Sequence, residues 1–246
     1  MRLAILTDIH GNREAFSAVL ADVERRAVDR IVLLGDIVGY GPDPEWCADK
    51  AASLVGAGAI AVKGNHDNAI GDTSETMGKV AAAAMEWTRP RMNEAQRQFL
   101  AGLPLTQELG DILFVHASAN DPGDWIYVTS AQRAIGSFRV CSSRLIFCGH
   151  VHVPALISYG LTGQVQEHEF RIGAAVPLIR SRRWIAVVGA VGQPRDRSPE
   201  AAYAILDTTT NELSFRRVAY DVGSTAAKIR AAGLPEMLAT RLLKGE

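Results

Sequence analysis

Short apolar runs that stop abruptly at polar, glycine-bearing segments recur along the chain. Residues 2–7 form one such run, closed by Thr7-Asp8, and Gly11-Asn12 then leads into Arg13 to Ala27, where apolar residues fall at helical spacing. This predicts strand, loop, helix, with Asn12 placed to cap the helix. Ile31 to Leu34 is a second buried strand ending in Gly35-Asp36. The stiff, irregular segment Ile37 to Pro44 follows, and Glu45 to Leu54 reads as a helix. Ala59 to Val62 is a third strand, running into Lys63-Gly-Asn-His-Asp67. Met77 to Trp87 and Asn93 to Ala101 read as helices separated at Pro90. Leu105 to Leu109 and Ile112 to Val115 read as a hairpin whose second strand delivers His116. Arg144 to Cys148 is a buried strand that opens into Gly149-His-Val-His152 before Pro154.

Beyond His152 the pattern shortens. Residues 155–159, 164–171, 183–188, 202–206 and 212–218 read as strands of a second, largely antiparallel sheet, interrupted by the glycine-rich loop Gly189 to Asp196. That loop has no GK[ST] and no helix after it, so it is not a phosphate loop. Val222 to Leu243 reads as two short helices broken at Gly233-Leu-Pro235. With 246 residues, 48% of them hydrophobic, and no repeat or linker, one α/β domain over 1–246 is expected.

Composition removes several function classes. A formal net charge of −1 gives no broad attraction to nucleic acid, so nucleic acid is not an expected partner. Cys47, Cys141 and Cys148 show no CxxC spacing, which suggests neither a disulfide framework nor a thiolate zinc site. The apolar start before Asp8 is too short for a signal peptide and no run reaches membrane-spanning length, so a cytoplasmic protein without membrane partners is expected.

The candidate chemistry lies at the strand ends. Of six histidines, His10, His66, His116, His150 and His152 fall in these segments, leaving only His168 elsewhere. In extended backbone, side chains two apart share a face, so Asp8 with His10, and His150 with His152, are expected to point together. Alone, an HxH pair is more often a loop or a satisfied buried pair than a metal site. Ligands gather beyond the carboxyl ends of strands in α/β sheets, however, and with Asp8, Asp36 and Asn65 the set offers mixed nitrogen and oxygen donors suited to divalent first-row metals. The donors exceed the needs of one ion. Two ions about 3.5 to 4 Å apart sharing a carboxylate would use them, and would suit phosphoryl transfer. Asp36 is the natural bridge. The loop carrying Trp125 and Tyr127 reads either as a surface loop with an anchoring tryptophan or as a substrate-side rim.

Asp8-x-His10, Gly35-Asp36, Gly64-Asn-His-Asp67, His116 and Gly149-His-x-His152, in this order, resemble the calcineurin-like metallophosphoesterase superfamily. Asp8-Ile-His-Gly-Asn12, Val38-Gly-Tyr-Gly-Pro-Asp-Pro44 and Val191-Gly-Gln-Pro-Arg-Asp196 are similar to patterns of its small bacterial and archaeal phosphodiesterase branch. The resemblance implies a four-layer αββα sandwich of two mixed sheets flanked by helices. It implies Asp8, His10 and His152 on one metal, Asn65, His116 and His150 on the other, Asp36 bridging, and His66 free for catalysis. Manganese is the expected ion, with iron, nickel, zinc, cobalt and magnesium as alternatives, and a metal-bound hydroxide would be the nucleophile. Extended backbone would let Asn65 ligate while His66 faces a small phosphodiester or nucleotide.

The superfamily's phosphoprotein phosphatases carry Asp-Arg where this chain has Gly39 and Tyr40, so protein phosphatase activity is not expected and Asp67 is no evident substitute for the missing aspartate. Arg195 reads as a phosphate contact or as a structural arginine in a tight loop. The alternatives to a phosphodiesterase are a phosphomonoesterase or a binding scaffold on the same fold, since the superfamily includes a retromer subunit without a complete catalytic set.

Overall fold

A computed structural model describes all 246 residues. The first half runs β1 (Arg2–Leu6), α1 (Arg13–Arg25), β2 (Arg30–Leu33), α2 (Pro44–Gly56), β3 (Ile60–Ala61), α3 (Asn65–Gly71), α4 (Lys79–Thr88) and α5 (Glu94–Gly102). The hairpin β4 (Thr106–Leu109) and β5 (Ile112–Val115) follows, then α6 (Ala131–Val140) and β6 (Leu145–Cys148). The rest comprises β7 (Ala155–Tyr159), β8 (Val165–Glu167), β9 (Val176–Pro177), β10 (Arg183–Val187), β11 (Ala201–Asp207), β12 (Glu212–Val218), α7 (Val222–Ala231) and α8 (Glu236–Lys244).

These strands form two mixed six-stranded sheets, ordered β3-β2-β1-β11-β12-β9 and β4-β5-β6-β10-β7-β8. In the first, β1, β2 and β3 are parallel and β11 returns antiparallel beside β1, pairing Ile5 with Ala204. In the second, β5, β6 and β10 are parallel. Strand alternation explains the layering. Leu3 and Ile5 of β1 meet Leu145 and Phe147 of β6 in a core between the sheets, whereas Ala4 and Leu6 face outward with Phe16, Val19 and Cys47 of α1 and α2. On the far side, Ile146 and Cys148 of β6 pack with Ala134 and Phe138 of α6. The result is the αββα sandwich expected from the sequence. The C-terminal hairpin α7–α8 has its own small core, shared with Ala84 of α4. No helix is long and apolar enough to cross a membrane.

Three sequence expectations need correction. The strands after His152 do not make one new sheet: β7, β8 and β10 extend the second sheet, while β9, β11 and β12 complete the first. Both sheets bury the same alternating apolar pattern, so composition cannot tell which one a late strand joins. Asn65 and His66, expected in extended backbone, open α3, and residues 131–140, unassigned from sequence, form α6. Strand character over 164–171 shrinks to Val165–Glu167.

Candidate metal centre

Strands β1, β2, β3, β5 and β6 end at the same edge of the sandwich, and each of these ends carries a polar residue of the candidate site. Asp8 and His10 follow β1, Asp36 follows β2, Asn65 and His66 open α3 after β3, His116 follows β5, and His150 with His152 follow β6. The ends are stitched by backbone hydrogen bonds: His10 N–H donates to the Asp36 carbonyl at 2.9 Å, Gly149 N–H to that of His116 at 2.8 Å, and Gly192 N–H to that of Asp8 at 2.8 Å. Gly149 is required there, because a Cβ would overlap the Thr7 hydroxyl and the Asp8 carboxylate.

The side chains converge, though not for the reason given by extended backbone. Asp8, His10, Asp36, His150 and His152 all have left-handed φ, at 53°, 52°, 52°, 65° and 65°. Non-glycine residues there cost about 1–3 kcal/mol each, and such strain gathers at functional sites. Asn65 and His66 likewise sit in the first turn of a helix and not in a strand, so their divergence follows helical geometry.

The distances define two adjoining clusters. His152 Nε2 is 3.2 Å from Asp8 Oδ1, and His10 Nε2 is 3.7 Å from the same oxygen. His116 Nε2 lies 3.1 Å from His150 Nδ1. Asp36 Oδ2 stands between, 3.6 Å from His10 Nε2 and 3.4 Å from His116 Nε2. Candidate ligand atoms group as Asp8, His10, His152 and as Asp36, His116, His150, each set lying within 4.8 Å. His10, Asp36 and His66 form a third such set, so His66 adjoins the cluster more closely than its sequence assignment implied.

The remaining polar atoms are held so that free lone pairs face inward. Nδ1 of His10, His116 and His152 lies 3.2, 2.7 and 2.6 Å from the carbonyls of Val38, Leu34 and Gln193, which fixes the tautomer with Nε2 available as a ligand. Asp8 Oδ2 accepts from the Thr7 hydroxyl and from His150 N–H, and Asp36 Oδ1 accepts from His66 N–H. Asp8 Oδ1 and Asn65 Oδ1 are buried with no hydrogen-bond partner. Orphaned buried acceptors beside imidazole lone pairs are what a cation would satisfy, so these residues fit divalent metal.

Electrostatics agree. Burial raises the Asp36 carboxyl, but the charges of His116 and His66 outweigh it and hold it well below its ordinary value. Burial disfavours a charged His116, yet Asp36 and Asp8 pull it up to about 9. Burial, then the charge of His116, pushes His150 down to about 3. A proton on His116 thus compensates Asp36, a role that a bound cation would take over.

His66 is 3% exposed and has no carboxylate on its ring. Its Nδ1 is buried without a partner, and a Cβ on Gly39 would overlap that atom. Gly39, φ +88°, therefore makes the room that the ring occupies. The Tyr40 ring at 4.5 Å and the His10 ring at 4.8 Å confine it, so packing holds His66 without an acidic partner on its ring. Asp67 does not take that part. Its carboxylate is spent on the N–H groups of Ile37 at 2.9 Å and Gly64 at 3.0 Å, tying the end of β2 to α3. Burial, then the charge of Asp36, pushes it up to about 7.

Above the cluster opens a cleft of about 580 Å³ lined by Asp36, Asn65, His66, His150, His152 and also by Trp125, Tyr127 and Arg195. The aromatic loop lines this cleft: Tyr127 stacks on His150 at 3.9 Å and Trp125 meets His116 edge-on at 5.9 Å. Tyr40 was marked from sequence only as a departure from the Asp-Arg pattern and Gln193 was not singled out, although both lie in the motifs quoted for the branch. Glu75, another lining residue, follows no motif that could have marked it.

The fold and this strand-end cluster define a metallophosphoesterase. The chain belongs to the calcineurin-like phosphoesterase superfamily, whose domain model matches residues 1–211. It is 34% identical over 249 residues to an uncharacterized protein of Methanocaldococcus jannaschii, covering 99% of this chain and 98% of that one. A crystal structure of a metallophosphoesterase from Sphaerobacter thermophilus superposes with a TM-score of 0.87 at 40% identity, covering 100% of both chains. A hypothetical protein of Pyrococcus horikoshii shares the fold at 20% identity and a TM-score of 0.78, over 100% of this chain and 98% of that one. The superfamily uses divalent metals, and membership supports a hydrolase acting on phosphoesters.

Proposed function

We propose that residues 1–246 work as a single dinuclear metal-dependent phosphodiesterase domain acting on small phosphodiesters or nucleotides, with manganese as the working ion. The observation that carries the reading is the position of Asp36 Oδ2, within 3.6 Å of a nitrogen from each cluster. Asp8, His10 and His152 would hold one ion and Asn65, His116 and His150 the other, with Asp36 shared. When bound, such ions supply Lewis acidity, lowering the pKa of water and neutralising charge on phosphoryl oxygens.

The chain's own residues do the rest. Thr7 and the His150 amide fix the Asp8 carboxylate, and three backbone carbonyls hold the imidazoles in register, so little reorganisation is needed as charge develops. His66, confined by Gly39, Tyr40 and His10, donates a proton or a hydrogen bond to the oxygens of the reacting group. Trp125 and Tyr127 give the cleft flat apolar walls suited to an aromatic or nucleoside substituent.

The test is hydrolysis of bis(4-nitrophenyl) phosphate and 4-nitrophenyl phosphate by metal-stripped protein, with and without added manganese. Manganese-dependent turnover with kcat/KM higher on the diester is expected. Preference for the monoester would convert the reading to a phosphomonoesterase. No turnover of either ester with any divalent ion would leave a binding scaffold.

A further inference from the structure

Apart from Asp36 and the site histidines, the charged side chains lining the cleft are Arg195, Glu75 and Asp124, and Arg195 is the one cation among them. Its place is fixed from the metal cluster itself. The His152 ring faces the Gln193 carbonyl through Nδ1 at 2.6 Å, and Arg195 N–H donates back to the His152 carbonyl at 3.2 Å. The guanidinium then donates through Nη2 to Gln193 Oε1 at 2.8 Å and lies 5.8 Å from the centre of the Tyr40 ring, the ring that also confines His66. No carboxylate forms an ion pair with it: the neighbouring Asp196 is committed to Arg217. Its Nε is buried with no acceptor. A partly buried guanidinium that is held by Gln193, has no carboxylate partner and belongs to the lining of the cleft that His66 also lines is suited to receive an anion.

The two carboxylates set the opposite condition. Glu75 is held by Asn68 Nδ2 at 2.8 Å on one side of the cleft, and Asp124 lies in the strained turn between Asp121 and Trp125, both left-handed. A substrate carrying further phosphates would have to place them near these anions with no second cationic side chain to meet them, and like-charge juxtaposition rejects partners effectively.

We propose that Arg195 grips a non-bridging oxygen of the reacting phosphate and that Glu75 and Asp124 exclude polyphosphates, so that the cleft selects a diester whose reacting phosphate is its only charge. This rests on the phosphodiesterase reading. The assignment of Arg195 is tested on manganese-loaded protein by calorimetric binding of inorganic phosphate, together with kinetics on bis(4-nitrophenyl) phosphate. Arg195→Ala is expected to weaken phosphate binding and raise KM about tenfold, with a smaller change in kcat, unchanged bound manganese, and partial rescue by free guanidinium. Arg195→Lys, which keeps the charge without the fork, should fall between. Glu75→Gln combined with Asp124→Asn should raise kcat/KM for a diadenosine polyphosphate relative to the simple diester by about fivefold or more.

Phosphate binding and KM within twofold of wild type in Arg195→Ala would overturn the anion grip. An unchanged substrate ratio in the double variant would overturn the charge filter. A wild-type protein that binds phosphate but cleaves no ester would instead break the catalytic reading, while the calorimetry would still decide the part played by Arg195.

Discussion

At the scale of single residues, the most informative position is Gly39, because it explains how His66 can be placed without an acidic partner. The glycine is legible in the sequence as a departure from the Asp-Arg pattern. Its reason is not, since only the structure shows the imidazole filling the space a side chain would need. His66→Ala is expected to keep both manganese equivalents and lose about a hundredfold in kcat, the usual worth of one acid-base or hydrogen-bonding side chain. Gly39→Ala should approach the same loss by displacing the ring, and the double variant should be no worse than His66→Ala, as expected when two changes act on one group. Steady-state kinetics with elemental analysis checks this. Wild-type turnover in Gly39→Ala, or a missing metal equivalent in His66→Ala, would contradict it.

At the scale of elements, helix α1 and strand β11 are joined by a polar tether inside an otherwise apolar layer. The Tyr203 hydroxyl, fully buried, donates to Asp22 Oδ2 at 2.5 Å, and Arg26 Nε donates to the same oxygen at 2.6 Å. Burial tends to raise the Asp22 carboxyl, but the hydrogen bonds from Arg26 and Tyr203 prevail and draw it from 3.8 to about 2. A carboxyl held below its unfolded value stabilises the fold above that value and loses this contribution as pH falls through the folded one, here from about pH 4 toward 2, an effect of about 2 kcal/mol. Tyr203→Phe is expected to cost about 1–2 kcal/mol at neutral pH. In urea unfolding, the gap between wild type and Asp22→Asn should narrow over that acid range. A gap that widened on acidification would refute the tether's sign.

The elements also show where sequence reading stops. Apart from α3 and α6, the elements before His152 were legible because each apolar run ends in its own polar segment, and the candidate site residues were legible because they occupy those ends. Helix α3 was hidden because Gly64-Asn-His-Asp67 carries turn residues, and the cap that makes it helical is the Asp67 side chain on the Gly64 amide. Helix α6 was hidden by Gly136 in its middle. It forms because Ala134 and Phe138, one turn apart, bury on the second sheet. The pairing of β11 with β1, about two hundred residues away, depends on tertiary context that no local pattern carries.

At the scale of the whole molecule, two sheets present their carboxyl ends to one edge, so that residues from five strand ends meet at Asp36. Burial there serves binding more than stability. Oxygens of Asp8 and Asn65 lack partners, imidazoles crowd one another, and backbone angles are strained, so filling the site should stabilise the fold. The most direct test of this design is a titration of metal-stripped protein with manganese, following bis(4-nitrophenyl) phosphate hydrolysis against equivalents bound. Activity should be absent without metal, rise with binding, and reach its plateau at two equivalents per chain. Full activity in the metal-free protein, or a plateau at one equivalent, would contradict a shared dinuclear centre at Asp36.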